Sequence, residues 1–488
     1  MGPNDFESLH RIVATSAYCF KTPENGAVPS RRSDGCFAPV GVGSIIRAME
    51  YPVDDSLFCS HLHDTIAALE SALQAMALEA VVIQAGDQRL IFQDDQHLPF
   101  RTNPWFAWLV PAPPAPGSLL ELRQGRKPRL LFVAAQDFWH LPPQVPAEPW
   151  IKHFDVEEFP SAALAVAALT SPKSNTAWIG ESPPQSGWLV NPAPLLETLA
   201  LRRCLKTSHE LACQRTATQI AVRGHRACEL AFREGACEFD IHLAFLAATR
   251  QNEAELPYPP IVAINDHCAT LHYQARDTRK PRRSLSLLID AGASYCGYGS
   301  DITRTWATSP GVFSALIEGM HNLQQELCAA VAPGVDWRDL HMRAHHLVAQ
   351  LMCDAGLVQM SAEAAVATGV SRMFFPHGLG HLLGLQVHDV GGLRTAPGEE
   401  PIPRPEGHPA LRLTRRLEPG MVVTVEPGLY FIADLLQQLG AGPHANAVNW
   451  KLVDTLRTCG GIRIEDNVVV TETGHQNLTR TAFADISL

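Results

Sequence analysis

Leu287-Leu288-Ile289-Asp290-Ala291-Gly292 and Tyr298-Gly299-Ser300-Asp301-Ile302-Thr303-Arg304-Thr305, with their aspartates eleven residues apart, decide the fold of this chain. The first segment is an apolar strand that ends on a carboxylate, and the second resumes a strand pattern from another. Gly292 and Gly297 mark a turn between them, so a hairpin brings Asp290 and Asp301 together. Taken alone, an Asp at a strand end is usually a turn residue. The chemical weight comes from three further segments of the same kind.

His377-Gly378-Leu379-Gly380-His381 is followed by His388-Asp389. Two glycines within five residues make a regular helix costly, at about 1 kcal/mol each relative to alanine, so the histidines belong to an irregular strand or loop. Val422-Val423-Thr424-Val425-Glu426-Pro427-Gly428 is a β-branched strand stopped by Pro-Gly with an acid at its tip. In Gly461-Ile462-Arg463-Ile464-Glu465-Asp466, the strand period of two turns Ile462 and Ile464 to the core and puts Arg463 and Glu465 on the other face. By itself that acid reads as solvated. As a set, four carboxylates and one imidazole at strand ends can hold two divalent cations with bridging carboxylates. Such a ligand set, free of sulfur, favours manganese, with cobalt or zinc as substitutes. A pair of ions about 3.5–4 Å apart lowers the pKa of a bridging water and polarises a scissile carbonyl.

Working outward, Thr207-Ser208-His209-Glu210 fits a capping box that opens a helix running to Gly235. Upstream, Ile66, Leu69, Leu73, Met76 and Leu78 follow helical spacing, and Ala80–Ile83, Leu130–Val133 and Thr176–Gly180 read as strands. Prolines at 183, 184, 192 and 194 punctuate the end of this α/β region. Residues 1–58, rich in Gly, Ser, Pro and Arg, show no sustained period and read as a disordered extension. Met49 is a second candidate start within it, which the intact mass of the native protein decides. The expected organisation is therefore an extension over 1–58, an N-terminal domain over 59–200 and a second domain over 201–488. A chain of 488 residues is too long for one ordinary core.

Composition removes several function classes. A formal net charge of −11 argues against a general nucleic-acid or membrane-surface binder, which needs clustered cations. The twelve cysteines are scattered without a C-x-x-C pair, which excludes zinc ribbons and thioredoxin-like motifs and suits a reducing compartment. No apolar run is long enough to span a membrane and no secretory or myristoylation signal is seen, so the chain reads as cytoplasmic.

The five segments, in this order, resemble the pita-bread metallopeptidases: methionine aminopeptidase, aminopeptidase P and prolidase. Phe92-Gln93-Asp94-Asp95, Pro99-Phe100, Leu271-His272-Tyr273 and Leu385-Gln386-Val387-His388-Asp389-Val390 extend the resemblance to bacterial prolidases over roughly 60–488. It implies a creatinase-like N-terminal α/β domain before a pita-bread catalytic domain, a homodimer, and hydrolysis of Xaa-Pro dipeptides. Carried over residue by residue, the metal ligands are Asp290, Asp301, His381, Glu426 and Glu465, with Asp301 and Glu465 bridging two ions. Glu426 is implied as proton shuttle, His388 as oxyanion support, and His377 and Arg463 as further catalytic groups. His272, Tyr258, Val387, Trp337 and Arg412 are implied in substrate binding, Arg412 at the proline carboxylate, with Asp95 reaching the partner's site. Read from its neighbours Arg415 and Arg416 alone, Arg412 is a surface charge. The chain departs from these prolidases at Trp337, where a tyrosine is common, and over Asn103–Trp108, which is one residue shorter. Some bacterial relatives also hydrolyse organophosphate triesters, an implied side activity. The rivals are an aminopeptidase P acting on longer peptides and a metal-free binding protein of the same fold.

Overall fold

Asp54 accepts hydrogen bonds from the backbone of Ser56 and Leu57 and so caps the first helix, Asp55–Ala75. The computed structural model describes residues 54–111, 115–181 and 187–486; the extension expected over 1–58 lies outside these as far as residue 53, and residues 55–58 are helical. Phe58, Leu62, Leu69 and Leu73 form the buried stripe of that helix. Leu78, read with the same stripe, lies beyond the helix end. Ala77 turns left-handed at φ +55°, and the amides of Ala77 and Leu78 bond back to Gln74 and Leu73, a Schellman closure.

Beyond it come six strands: β1 (Ala80–Gln84), β2 (Leu119–Arg123), β3 (Arg129–Val133), β4 (Asp155–Phe159), β5 (Thr176–Ile179) and β6 (Leu189–Val190). They form one sheet in the order β4-β3-β2-β1-β5-β6. β1 pairs antiparallel with β2 and parallel with β5, so its Val81, Val82 and Ile83 are covered on both faces and fully buried. The three strands expected from apolar runs are β1, β3 and β5; β2, β4 and β6 were not separable from their loops by period alone.

The second half starts at the anticipated capping box: Thr207 Oγ1 accepts from Glu210 N, and Glu210 Oε2 accepts from Thr207 N. The helix Ser208–Arg233 ends just before Gly235, whose φ of +77° suits glycine. Antiparallel sheet follows in short pieces. Thr303–Ala307, Ser286–Asp290 and Ile261–Ile264 form one sheet in that order, and Val422–Val425, Asp466–Val470 and His475–Asn477 another. Gly428–Tyr430 pairs with Gly461–Arg463. Helices Val312–Ala329 and Trp337–Asp354 pack over this framework around an apolar core that includes Leu316, Met320, Val348, Val423 and Ile462. Among the described residues no helix is long and apolar enough to cross a membrane.

Candidate metal centre

The paired strands Ser286–Asp290 and Thr303–Ala307 put Asp290 opposite Thr303. Their link folds as a smaller hairpin, Ser294–Tyr295 on Tyr298–Gly299, whose turn residues Cys296 and Gly297 have φ of +50° and +83°. Gly292 serves a different purpose from the expected turn. A Cβ there would stand 1.8 Å from the Ser300 carbonyl oxygen, so its bareness lets the two arms close before Asp301. The result is direct: the Tyr258 hydroxyl lies 2.7 Å from Asp290 Oδ1 and 2.6 Å from Asp301 Oδ1. With one proton, it donates to one carboxylate at a time and ties them together.

Residues 379–383 run as an irregular strand against Val422–Val425. Glu426 N donates to Leu379 O, Thr424 N to His381 O, and Leu383 N to Val422 O. Gly380 permits this approach, since a Cβ would meet the Thr424 carbonyl oxygen at 2.0 Å. His381 Nδ1 lies 3.0 Å from the Leu382 carbonyl and donates to it, which leaves the Nε2 lone pair free. That Nε2 stands 3.4 Å from Asp301 Oδ2 and 3.6 Å from Glu426 Oε1. Glu465 enters through a bridge to Thr303: its amide donates to Thr303 O, and its Oε2 accepts from Thr303 Oγ1 at 2.7 Å. One donor atom each from Asp301, His381 and Glu465 lie within 4.8 Å of one another. Arg463 and Glu465 do leave the core face that Ile462 and Ile464 occupy. Instead of solvent they meet the interior of the site, where Arg463 Nη2 donates to Asp290 Oδ2 at 2.7 Å.

Four carboxylates thus share a buried space with one guanidinium and one ligand-like imidazole. Burial and mutual repulsion hold Asp290 and Glu465 above the usual carboxylate range and push Glu426 up to about 7. Asp301 alone is lowered, against its own burial, by the His381 imidazole beside it. The site is short of positive charge, and hard oxygen donors around one imidazole suit divalent cations. These residues fit a metal centre.

The other anticipated residues divide. Tyr258, His272, Val387 and His388 line a cleft of about 1490 Å³ that also exposes Asp290 and Asp301. Arg412 lies beside His381 and His388 along an adjoining groove of about 380 Å³. Burial, then the charges of His381 and Arg412, bring His388 down to about 4. His377 is lowered to about 3 by burial and Arg463; its Nε2 accepts from the Tyr430 hydroxyl at 2.8 Å. One expectation fails within this protomer. Trp337 is 0% exposed in the apolar core, as first residue of the helix capped by Asp336, and lines no part of the cleft. Asp95, expected at the partner's site, lies exposed on the loop closed by the Leu90–His97 bridge. Sequence reasoning missed Tyr430, which joins Arg463 Nη1 to His377, and Thr303, which orients Glu465. Neither carries a local signal, since their partners are brought in by sheet register.

A family model described as "Metallopeptidase family M24" matches residues 212–472, and one described as "Xaa-Pro dipeptidase, N-terminal domain" matches 56–201. A protein named Xaa-Pro dipeptidase from Xanthomonas euvesicatoria pv. vesicatoria is 45% identical over 439 residues, covering 89% of this chain and 100% of its own. One of the same name from Stenotrophomonas maltophilia is 45% identical over 88% of this chain and 98% of its own. Among solved structures, the aminopeptidase PepP of Pseudomonas aeruginosa aligns with a TM-score of 0.66 at 22% identity, covering 89% of this chain and 99% of its own. Aminopeptidase P from E. coli with the inhibitor Pro-Leu gives 0.67 at 21%, over 88% and 96%. At such identities the structural likeness concerns the fold.

Proposed function

Because this chain belongs to metallopeptidase family M24, we propose that it is an Xaa-Pro dipeptidase working with two divalent ions, manganese in the first place. The observation that carries this reading is the convergence of Asp290, Asp301, His381, Glu426 and Glu465 in one buried, cation-poor site at the floor of a cleft. Asp301 and Glu465 would be the carboxylates shared between the two ions. The ions supply polarisation of the scissile carbonyl and a nucleophile at neutral pH.

This chain's own groups handle protons and position. Glu426 is proposed to take a proton and return it. That return matters before proline, whose imide nitrogen leaves poorly unless protonated. His388, neutral at pH 7, can donate from a ring N–H to a developing oxyanion. Arg412, in the adjoining groove, is positioned to hold the single free carboxylate of a dipeptide. A homodimer is proposed as well, with the loop of Asp95 reaching the partner's cleft; its neighbour Phe92 is 87% exposed in one protomer. A cytoplasmic setting accords with the free cysteines, ten among the described residues. Organophosphate triesters, tetrahedral at phosphorus, are proposed as a side substrate class.

Proline release from Ala-Pro with added manganese, measured beside Ala-Pro-Gly and a Glu426→Gln variant, tests the reading. Cleavage of the dipeptide alone, lost in the variant, is expected. Preference for the tripeptide moves the chain to the aminopeptidase P reading, and cleavage of neither returns the binding-protein reading.

A further inference from the structure

We propose that His341, His345 and His408 form a second metal site, a three-imidazole site for a zinc-class divalent ion separate from the carboxylate centre. The helix Trp337–Asp354 carries His341 and His345 four residues apart and therefore on one face. The third ring comes from a loop 67 residues beyond His341. One ring nitrogen of each lies within 4.8 Å of the other two, and the ring centroids are 4.5–4.8 Å apart. All three side chains are buried, the most exposed, His408, by 9%.

The hydrogen-bond arrangement is incomplete without a further partner. His341 Nε2 and His408 Nδ1 share one bond of 2.8 Å, and His345 Nδ1 meets Ser371 Oγ at 3.1 Å. His345 Nε2 and His341 Nδ1, both buried, have none. A buried polar atom left unpaired is costly, and three such rings packed without an acid among them gain nothing from protonation. Burial lowers all three imidazoles below the ordinary histidine range, with mutual repulsion adding to it for His341, at about 3, and His345, at about 2, and the charge of Arg372 for His408. They are neutral at pH 7 and offer lone pairs without competing protons.

The donor set also selects the ion. Three nitrogens without oxygen or sulfur suit zinc, cobalt or copper, whereas the carboxylate centre suits manganese. An adjoining cavity of about 300 Å³, walled by His341, His408, Pro409 and Arg372, leaves room for water or a small anion as fourth ligand. The Arg372 guanidinium, bonded to Gly407 O at 3.0 Å, favours the anion. Because His408 precedes Arg412 by four residues, an ion here would pin the loop bearing that arginine to the helix.

The test uses full-length, manganese-loaded protein given one equivalent of zinc. X-ray absorption at the zinc edge should show scattering from three imidazoles. One imidazole or none would place the zinc at the carboxylate centre or on the surface and overturn the proposal. In parallel, metal-stripped wild type dialysed against micromolar zinc should retain one more ion per chain than His408→Gln and than His345→Gln. Equal counts in all three proteins overturn it equally.

Discussion

Asp389→Asn tests how the segment bearing His388 is held. Asp389 Oδ1 accepts from Arg203 Nη2 at 2.6 Å and Oδ2 from Lys206 Nζ at 3.0 Å, with all three side chains 1% exposed or less. The two cations come from the end of the helix Ala193–Arg203 and the link to the next, so this triad joins the halves of the chain beside the site. Asparagine keeps the shape but removes the charge, and two buried cations are left without a counter-ion. Removing one side of a buried pair costs about 3–5 kcal/mol. At roughly 2 °C per kcal/mol for a domain near 250 residues, the melting temperature should fall by about 6–10 °C. Adding Lys206→Met removes one stranded cation, so the double variant should melt above the single one. Asp389 is held below its ordinary pKa of 3.8, so its contribution is present above about that pH and lost as pH falls through the lowered value. Differential scanning calorimetry at pH 7.5 checks the chain of reasoning. A single variant melting within 1 °C of wild type would refute the claim that the triad depends on its negative charge.

Chelated protein should lose stability as pH rises from about 4.5 to 7: Glu426 is raised from 4.5 to about 7, so across that window the folded state still holds a proton that the unfolded state has released. The effect is about 3 kcal/mol, read as a falling melting temperature that added manganese abolishes; a flat chelated profile would count against the crowding of carboxylates. Trp337→Ala should cost about 3–5 kcal/mol as a core truncation while leaving KM for Ala-Pro unchanged in steady-state assays, and a raised KM would return Trp337 to the substrate pocket. Arg412→Ala should lower kcat/KM for Xaa-Pro dipeptides by roughly 10-fold or more, the size of one lost charge-assisted bond of about 1.5–3 kcal/mol. Unchanged kinetics would make it the surface charge that its neighbours Arg415 and Arg416 suggest.

The legible part of this molecule is the part whose chemistry is local. Each of the five proposed ligands stands at a strand tip or beside a glycine, where an acid or imidazole is conspicuous within a few residues. The capping box of Thr207 and Glu210 and the stop at Gly235 were readable for the same reason. Side-chain direction was not. Trp337 holds a position where relatives were expected to carry a pocket tyrosine, yet as the first residue of its helix it turns into the core among apolar neighbours such as Leu340 and Leu417. Strand β2 eluded the period rule because Glu121 is buried in the middle of it, satisfied by Arg129 opposite it on β3 and by Thr170 and Ser171 from a distant segment. The histidines of the three-ring cluster were invisible as a set, since His408 joins the helical pair only through the tertiary fold.

One device recurs at the site and explains why its histidines can have different jobs. His377 and His381 each place Nδ1 against the carbonyl of the following residue, at 2.8 and 3.0 Å, and so present Nε2 unprotonated. For His381 that lone pair faces Asp301 and Glu426, the setting of a metal ligand. For His377 it faces the Tyr430 hydroxyl, which is itself held by Arg463, which in turn grips Asp290. The same tautomer therefore serves ligation in one place and a hydrogen-bonded brace in the other, four residues apart. Tyr430→Phe separates the two roles. It should leave metal content at the wild-type level by mass spectrometry, because His381 keeps its backbone bond, while lowering kcat through a loosened Arg463 and His377. Loss of metal in that variant would mean the brace, and not the Leu382 carbonyl, is what holds the ligand set together.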